Sequence, residues 1–394
     1  MSALQCNCRR ANPQVEDAIA SRLLLPPSAG RLTSFNMENQ DCRTSTSWIA
    51  IYATMVPKAK IIAFLLCVLA VGLLYRITIK ENTFNLKALF FPSRYYPDDL
   101  LSAGNGIMFV ETTDRMEPPH LVLCSIESAA RAYPDRPVVY FMKGLAEINS
   151  DIVRMSYPTL LSYDNIYFFP LRMNVLLNNT PLMPWYEKVN PKTERYWNHV
   201  SSDACRLALI YKYGGIYMDT DIITFRPIPE KNFLAAETSQ MTGSAVLAFA
   251  PKHTIVWQFM EDFVNGYDGT VWGQQGPLLY NRILNRLYCK VPPFKGQEDI
   301  MCGTILFLNM ERFFPVPGMQ WETFFQVCEK LPTFNNSYAL HLFNYANSNQ
   351  RKVMVPGSNT MVEHLYKKYC PITYHAVLKG KPTYLKYMPI DKEK

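Results

Sequence analysis

The sequence contains no run of basic residues, although its 40 lysines and arginines outnumber 33 aspartates and glutamates and give a formal charge of +7. Cations scattered in this way are unlike the clustered surface of a nucleic-acid-binding protein, so no nucleic-acid partner is expected. The chain also lacks internal repeats, low-complexity tracts and a Walker-type glycine loop, which are the signs of repeat proteins, low-complexity proteins and P-loop enzymes. In contrast, 48% of the 394 residues are hydrophobic, enough for a large core in one or two domains.

The ten cysteines match no zinc-site spacing. Six of them lie in the last three quarters of the chain: Cys124, Cys205, Cys289, Cys302, Cys328 and Cys370. An even number is compatible with oxidised pairs, and a bridge between Cys289 and Cys302 would close a short loop. The sequence itself leaves the connectivity open.

One long hydrophobic segment, residues 61–79, is apolar except for Arg76 and Thr78. Its length is close to the roughly 20 residues that span a bilayer as a helix. A cleaved signal peptide would need a small-residue cleavage site after this segment, and the sequence offers none there. We therefore expect a transmembrane signal anchor, although basic residues at both ends leave its orientation open.

Beyond residue 104 the pattern is that of an α/β fold. Residues 106–110, 137–142 and 165–171 are short β-branched or aromatic runs, typical of strands buried on both faces. Between the first two runs, the sequence predicts a helix that ends before Pro134. Strand, helix and strand at this spacing predict a parallel, Rossmann-like sheet.

The segment 201–222 combines a helix, a strand and a cluster of charged residues. Ser201 or Ser202 is the predicted N-cap and Gly214 the predicted end of the helix, and residues 216–218 form the predicted strand. Asp203 and Arg206 share one face of that helix. Ligands of open α/β sheets bind beyond the carboxyl ends of strands, so this segment predicts a polar site there.

Asp219 and Asp221 follow the predicted strand directly, where an unpaired buried charge would cost several kcal/mol. Oxygen ligands suit Mn²⁺ or Mg²⁺, ions commonly shared with phosphates. A salt-bridge network is the alternative interpretation. A haloacid-dehalogenase-type phosphatase also places Asp-x-Asp after a strand, but Ile223 stands where that family generally has Thr or Val, and about a hundred core residues precede the pair.

The stretch SDACRLALIYKYGGIYMDTD resembles the Asp-x-x-Arg … Gly-Gly-x-Tyr-x-Asp-x-Asp signature of retaining, metal-dependent GT-A glycosyltransferases. The chain is further similar, from about residue 55 to 380, to the vertebrate family of α-1,4-N-acetylglucosaminyl- and α-1,4-galactosyltransferases. Six stretches carry this resemblance: FVETTDRMEPPHLVLCSIESAARAYP, FMKGL, NNTPLMPWY, WGQQGP, NNSYALHLFN and GSNTMVEHLYKKYCPITY. It implies a GT-A-type catalytic domain that uses a UDP-sugar donor.

The resemblance implies transfer of N-acetylglucosamine from UDP-GlcNAc, with retention, to the 4-hydroxyl of terminal β-galactose on mucin-type O-glycans. Transfer of galactose to lactosylceramide is the alternative activity. An alternative of another class is a catalytically inactive, membrane-tethered sugar-binding protein. Front-face attack, in which the departing phosphate accepts the acceptor proton, requires no catalytic base, and none is assigned.

The resemblance also implies roles for individual residues. Asp219 and Asp221 are expected to be catalytic, with Asp221 binding Mn²⁺ or Mg²⁺ and His341 completing the metal site. A packed core histidine is the alternative for His341. The expected donor-binding residues are Asp203, Arg206, Tyr217, Asp219, Glu111 and Thr112.

The Gly-punctuated loop that contains Trp272 and Gln275 is expected to shape the acceptor pocket, with a buried turn as the alternative. If the C-terminal part is lumenal, Asn178 and Asn335 are glycosylation acceptors. The implied location is the Golgi membrane, with a single-pass type II topology. The expected organisation is a cytosolic tail 1–60, whose first 54 residues form a disordered extension, an anchor 61–79, a stem 80–104, a lumenal catalytic domain 105–380 and a tail 381–394.

Overall fold

The computed structural model describes residues 66–69, 72, 95–146, 150–287, 289–295 and 298–386. The chain divides into two compact units, and the larger contains Phe91–Lys394. In the smaller unit the described residues, 66–69 and 72, are helical. Among the described residues, none belongs to a helix with the length and apolar character that crossing a membrane requires. The predicted anchor 61–79 falls mostly outside the described residues and the tail 1–60 entirely so, and both stay predictions.

A central eight-stranded sheet and a separate two-stranded sheet organise the larger unit. The strands are β1 (Ile107–Glu111), β2 (Val138–Met142), β3 (Ile166–Pro170), β4 (Gly215–Met218), β5 (Ile222–Thr224), β6 (Phe233–Thr238), β7 (Met241–Phe249), β8 (Ile300–Cys302), β9 (Ile305–Leu308) and β10 (Ala339–His341). The α-helices are α1 (Pro97–Leu100), α2 (His120–Ala132), α3 (Ser150–Met155), α4 (Met173–Leu176), α5 (Leu182–Lys188), α6 (Trp197–Tyr213), α7 (Thr254–Asn265), α8 (Pro277–Arg286), α9 (Met361–Tyr369) and α10 (Pro371–Leu378). In the described part of the chain, 3₁₀ helices span Met310–Arg312, Gly318–Phe325 and Ala346–Ser348.

The strand order in the large sheet is β3-β2-β1-β4-β7-β6-β9-β8. The first four strands are parallel to one another, as the sequence predicted. The other half is mixed, because β7 runs antiparallel to β4 and β6, and β8 runs antiparallel to β9. The prediction of a parallel sheet therefore holds for β1 to β4 but not for this half, where β6–β7 and β8–β9 are antiparallel hairpins while β6 and β9 pair in parallel.

Both faces of the sheet are covered. Met108 and Val110 pack into one hydrophobic cluster with α6, α7 and α8, while Ile107 and Phe109 pack into another with α2. Alternate residues of a strand point to opposite faces, so a strand buried on both sides reads as a continuous apolar run. This is why the sequence located β1 to β3 and α2 within a few residues.

Helix α6 begins earlier than the sequence predicted. It starts at Trp197, with Tyr196 as its N-cap, rather than after Ser201 or Ser202. The Ser201 hydroxyl donates instead to the carbonyl of Asn198, a bond that serines make inside helices. Asp203 and Arg206 accordingly lie in the middle of the helix.

The end of α6 matches the prediction, because Gly214 is its C-cap with a φ of +67°. Gly215 follows with a φ of +88°, and a Cβ there would lie 2.4 Å from the carbonyl oxygen of Gly106. These glycines let β4 start against β1 directly after the helix. The turn therefore fixes the position of β4 and of Asp219 and Asp221, which follow it.

The C-terminal part of the chain is fastened to α2. A disulfide joins Cys124 to Cys370, and the buried Glu127 carboxylate accepts the backbone N–H groups of Ile372 and Thr373 at the start of α10. A second disulfide joins Cys289 to Cys302, a pairing that the sequence left open. Cys205 is a buried thiol, and its burial raises the pKa of that thiol.

Candidate active site

Asp219 and Asp221 lie in the tight turn between β4 and β5. The Asp219 N–H donates to the carbonyl of Ala245 on β7 at 2.8 Å, and the carbonyl of Thr220 accepts from Ser125 on α2 at 2.8 Å. The turn is thus held from both sides at the carboxyl edge of the parallel strands. The two carboxylates are neither fully exposed nor fully buried: 26% of the Asp219 side chain and 15% of the Asp221 side chain are accessible.

His341 joins the aspartates through the two-stranded sheet. Strand β10 pairs antiparallel with β5, so His341 lies opposite Ile222, next to Asp221. One ligand atom each from Asp219, Asp221 and His341 lies within 4.8 Å of the others. The resemblance implied Asp221 and His341 as metal ligands, and the pairing of β10 with β5 supplies the contact between them that the sequence could not show.

The charges of Asp221 and His341 support each other. His341 Nε2 lies 3.2 Å from Asp221 Oδ1, and the Asn344 N–H donates to Asp221 Oδ2 at 2.8 Å. Burial acts against both charges, but the histidine lowers the pKa of Asp221 and the aspartate raises the pKa of His341. The Nδ1 atom of His341 is buried and has no hydrogen-bond partner among the described residues. Two carboxylates and an imidazole with an unused ring nitrogen fit a divalent cation.

Arg206 connects the aspartate turn to helix α6. Its guanidinium lies 3.2 Å from Asp203 Oδ1 and 3.2 Å from Asp219 Oδ1, and it stacks over the Tyr217 ring at 4.7 Å. It also donates to the carbonyl of Ser244. The predicted donor-binding residues Asp203, Arg206, Tyr217 and Asp219 therefore meet in one network. The salt-bridge interpretation holds for this part, while Asp221 pairs with His341 instead.

Burial sets the electrostatics of this network. Asp203 and Arg206 are only 6% and 4% exposed. Desolvation raises the pKa of Asp203 to about 6, although the Arg206 charge opposes the shift. Desolvation likewise raises the pKa of Asp219, against the effect of Arg206. The Tyr217 hydroxyl donates to Asp219 at 2.7 Å, so the position of this carboxylate is fixed before any ligand binds.

Glu111 and Thr112 lie at the end of β1, on the same edge of the sheet. The Glu111 carboxylate is occupied by Arg115 at 2.7 Å and by the Thr113 N–H at 2.9 Å. The Thr112 hydroxyl donates to the carbonyl of Asn198 at 3.3 Å. Contact of these two side chains with a nucleotide stays a prediction.

The two predicted acceptor-loop residues have different environments. Trp272 is 43% exposed, whereas Gln275 is 1% exposed and donates to the carbonyls of Gly266 and Phe263. Gln275 therefore holds the loop from inside, as the buried-turn alternative expects, and the part of this loop in shaping an acceptor pocket stays a prediction. Asn178 and Asn335 are exposed, as glycosylation acceptors must be.

Glu237 is a third carboxylate that the sequence analysis missed. It stands on β6 at an irregularity of the pairing with β7, between Ala236 and Thr238. Burial raises its pKa, and its charge interacts with His341, Asp219 and Asp221. Irregularities of this kind re-aim side chains next to active sites. The sequence signal that could have identified Glu237 is a charged residue near the end of the apolar strand FLAAET.

Comparisons with known proteins agree with this site. Residues 119–240 match the family model described as glycosyltransferase sugar-binding region containing DXD motif, and residues 248–377 match alpha 1,4-glycosyltransferase conserved region. The chain is 48% identical to human alpha-1,4-N-acetylglucosaminyltransferase over 79% of this chain and 92% of that protein. It is 36% identical to human lactosylceramide 4-alpha-galactosyltransferase over 70% of this chain and 77% of that protein. A galactosyltransferase solved with donor and acceptor sugar analogues covers 73% of this chain and 98% of its own at 14% identity, with a TM-score of 0.37, too low to establish a common fold.

Proposed function

Because the chain belongs to the α-1,4-glycosyltransferase family and is a glycosyltransferase, we propose that it transfers N-acetylglucosamine from UDP-GlcNAc, with retention, to the 4-hydroxyl of terminal β-galactose on O-glycans. The choice of N-acetylglucosamine is supported by 48% identity to the human enzyme named for that transfer, against 36% to the human galactosyltransferase. Transfer of galactose to lactosylceramide is the second candidate. A GT-A-type fold is part of the proposal, and the parallel strands that carry Asp219 and Asp221 at their carboxyl edge support it.

The observation that carries the proposal is the convergence of Asp219, Asp221 and His341. These side chains would hold the divalent ion, Mn²⁺ or Mg²⁺, which when bound neutralises the diphosphate of the leaving group. His341 and the Asn344 N–H orient the Asp221 carboxylate and lower its pKa. The two carboxylates and the imidazole are therefore close together before an ion binds.

The buried network on α6 would hold the donor sugar. Asp203 offers a carboxylate that can accept hydrogen bonds from sugar hydroxyls, and Arg206 fixes its position. A sugar without those hydroxyls would leave these hydrogen bonds to a buried carboxylate unmade, which a site of this kind rejects strongly. Arg206 also contacts Asp219, so one guanidinium positions both the residue that would bind the donor sugar and a carboxylate that would bind the metal.

The proposed location is the Golgi membrane, with residues 61–79 as a type II signal anchor and the catalytic domain in the lumen. Two disulfides, Cys124–Cys370 and Cys289–Cys302, support an oxidising compartment. Exposed acceptor asparagines at 178 and 335 are compatible with the lumen. A mobility shift on treatment with an N-glycosidase, lost in an Asn178→Gln/Asn335→Gln double variant, tests this location.

The activity is tested with a panel of UDP-sugars and β-galactoside acceptors, following UDP release and the anomeric configuration of the product. We expect UDP-GlcNAc to give an α-1,4-linked product in a reaction that EDTA abolishes. Asp221→Asn should reduce turnover by at least about a hundredfold, because a lost charged ligand costs about 3 kcal/mol or more. Asp164→Asn is the control, since the Asp164 side chain is 94% exposed and lies outside the site.

Three results would contradict parts of the proposal. UDP-galactose as the preferred donor would favour the second candidate. Full activity of Asp221→Asn in EDTA would remove the metal role. Sugar binding without turnover for any donor would favour a sugar-binding protein that has lost catalysis.

A further inference from the structure

Three aromatic side chains from separate segments meet beside the active site, and we call them the aromatic platform: His199 of α6, Trp272 of the loop between α7 and α8, and Tyr345 after β10. The rings of Trp272 and Tyr345 are parallel within 5°, with centroids 6.2 Å apart. The His199 ring meets Tyr345 edge-on at 4.3 Å and Trp272 at 6.5 Å. Three separate parts of the chain thus contribute to one arrangement of rings.

The two larger rings of the platform remain accessible to water. Trp272 is 43% exposed and Tyr345 is 51% exposed. Single exposed apolar side chains are common on protein surfaces, but aligned aromatic rings at the edge of a site indicate a binding surface. The rings contact each other without being covered, so packing alone does not account for their arrangement.

Each ring belongs to a segment that also carries or contacts a residue of the active site. His199 lies one helical turn before Asp203 on α6. Asn344, next to Tyr345, donates its N–H to Asp221. On the Trp272 loop, Gly276 approaches Asp203 so closely that a Cβ would lie 3.0 Å from both carboxylate oxygens. Chain neighbours of Tyr345 and Trp272 thus contact Asp221 and Asp203, which places the platform beside the site.

We propose that the aromatic platform is the acceptor subsite, where the apolar face of a neutral hexose stacks on Trp272 and Tyr345. This inference rests on the proposed function and adds the position at which the acceptor binds. A hexose has one face of C–H groups and hydroxyls around its edge, which suits an aromatic surface bordered by polar groups. The anionic diphosphate of the donor suits the proposed metal site instead. A hexose on the platform then presents its 4-hydroxyl to the donor sugar held at Asp203.

The test uses the purified full chain, UDP-GlcNAc and p-nitrophenyl β-galactoside as the acceptor probe. Trp272→Ala and Tyr345→Ala should each raise the acceptor KM at least about fivefold, which corresponds to about 1 kcal/mol of lost stacking. The KM for UDP-GlcNAc should rise by a smaller factor than the acceptor KM, and circular dichroism and urea unfolding show whether the variants fold. Trp272→Phe and Tyr345→Phe keep an aromatic ring and should restore most of the acceptor affinity. Tyr96→Ala is the control, because Tyr96 is 55% exposed and lies outside the site.

An unchanged acceptor KM in both alanine variants would overturn the proposal. An increase in the UDP-GlcNAc KM or in the UDP inhibition constant, with the acceptor KM unchanged, would also overturn it and place the uracil ring on the platform. Direct titration of the same galactoside by calorimetry needs no turnover. It therefore tests the platform separately if wild-type protein shows no transfer, a result that would count against the proposed function alone.

Discussion

Replacing Asp203 with asparagine should make the protein more stable and less active at the same time. Asp203 is 6% exposed, and burial raises its pKa from 3.8 to about 6 although Arg206 favours the charged form. The folded protein therefore binds this proton more tightly than the unfolded chain does. As a result, the free energy of unfolding falls as the pH rises from about 4 to about 6 and is independent of this group above that range.

The magnitude follows from the two pKa values. The step from 3.8 to about 6 corresponds to about 3 kcal/mol, at about 1.36 kcal/mol per pKa unit. Asparagine has nearly the same shape and does not ionise. Asp203→Asn should therefore raise the free energy of unfolding by about 3 kcal/mol at pH 8, by about half of that at pH 5 and by little at pH 4.

Urea unfolding at pH 4, 5 and 8 measures this gain, with Asp164→Asn as the matched control. The control removes a carboxylate that is 94% exposed and should change stability by less than about 0.5 kcal/mol. Turnover of Asp203→Asn should fall at least about tenfold, because a hydrogen bond to a charged group contributes about 1.5–3 kcal/mol. A variant that is less stable than wild type at pH 8, or a gain that does not depend on pH, would refute the reasoning.

Three further variants test other parts of the structure. Gly215→Ala should lower the free energy of unfolding by at least about 2 kcal/mol, because the φ of Gly215 is +88° and the new Cβ would lie 2.4 Å from the Gly106 carbonyl oxygen. Gly380→Ala is the control in the same urea titration: its φ is +60° but the space around it is open, so it should cost about 1 kcal/mol. Cys124→Ser should lower the free energy of unfolding by about 2–5 kcal/mol, and by more than Cys289→Ser does, because its bridge closes a sequence separation of 246 rather than 13; equal losses would contradict the loop-length argument. Glu237→Gln should raise the Mn²⁺ concentration for half-maximal activity about threefold, since it removes a negative charge that interacts with Asp219 and Asp221, and an unchanged metal titration would separate Glu237 from the ion.

The sequence predicted the first half of the fold because that half is built from local signals. Strands β1, β2 and β3 are buried on both faces and read as apolar runs, and α2 ends where proline stops it. The start of α6 was misplaced because two serines resemble an N-cap, whereas the preceding residues continue the helix. The antiparallel half of the sheet depends on long-range strand pairing, which single-strand patterns do not specify.

The site was predictable where its residues are close in sequence and less so where they are not. Asp203, Arg206, Tyr217, Asp219 and Asp221 lie within one segment that carries a helix, a turn and a strand. His341 was predicted from a resemblance, and its contact with Asp221 depends on the pairing of β10 with β5. Glu237 and Tyr345 gave no short motif, because their roles come from neighbours far along the chain.

The pairing of β5 with β10 has a consequence for biosynthesis. A nascent chain that has only reached β5 contains both aspartates but lacks the histidine and the Asn344 amide that hold Asp221. The proposed metal site is therefore complete only after residue 344 has been synthesised, late in translation. A splice form or premature stop that removes β10 would keep the Asp-x-Asp motif in its sequence but lose His341 and with it the proposed metal site.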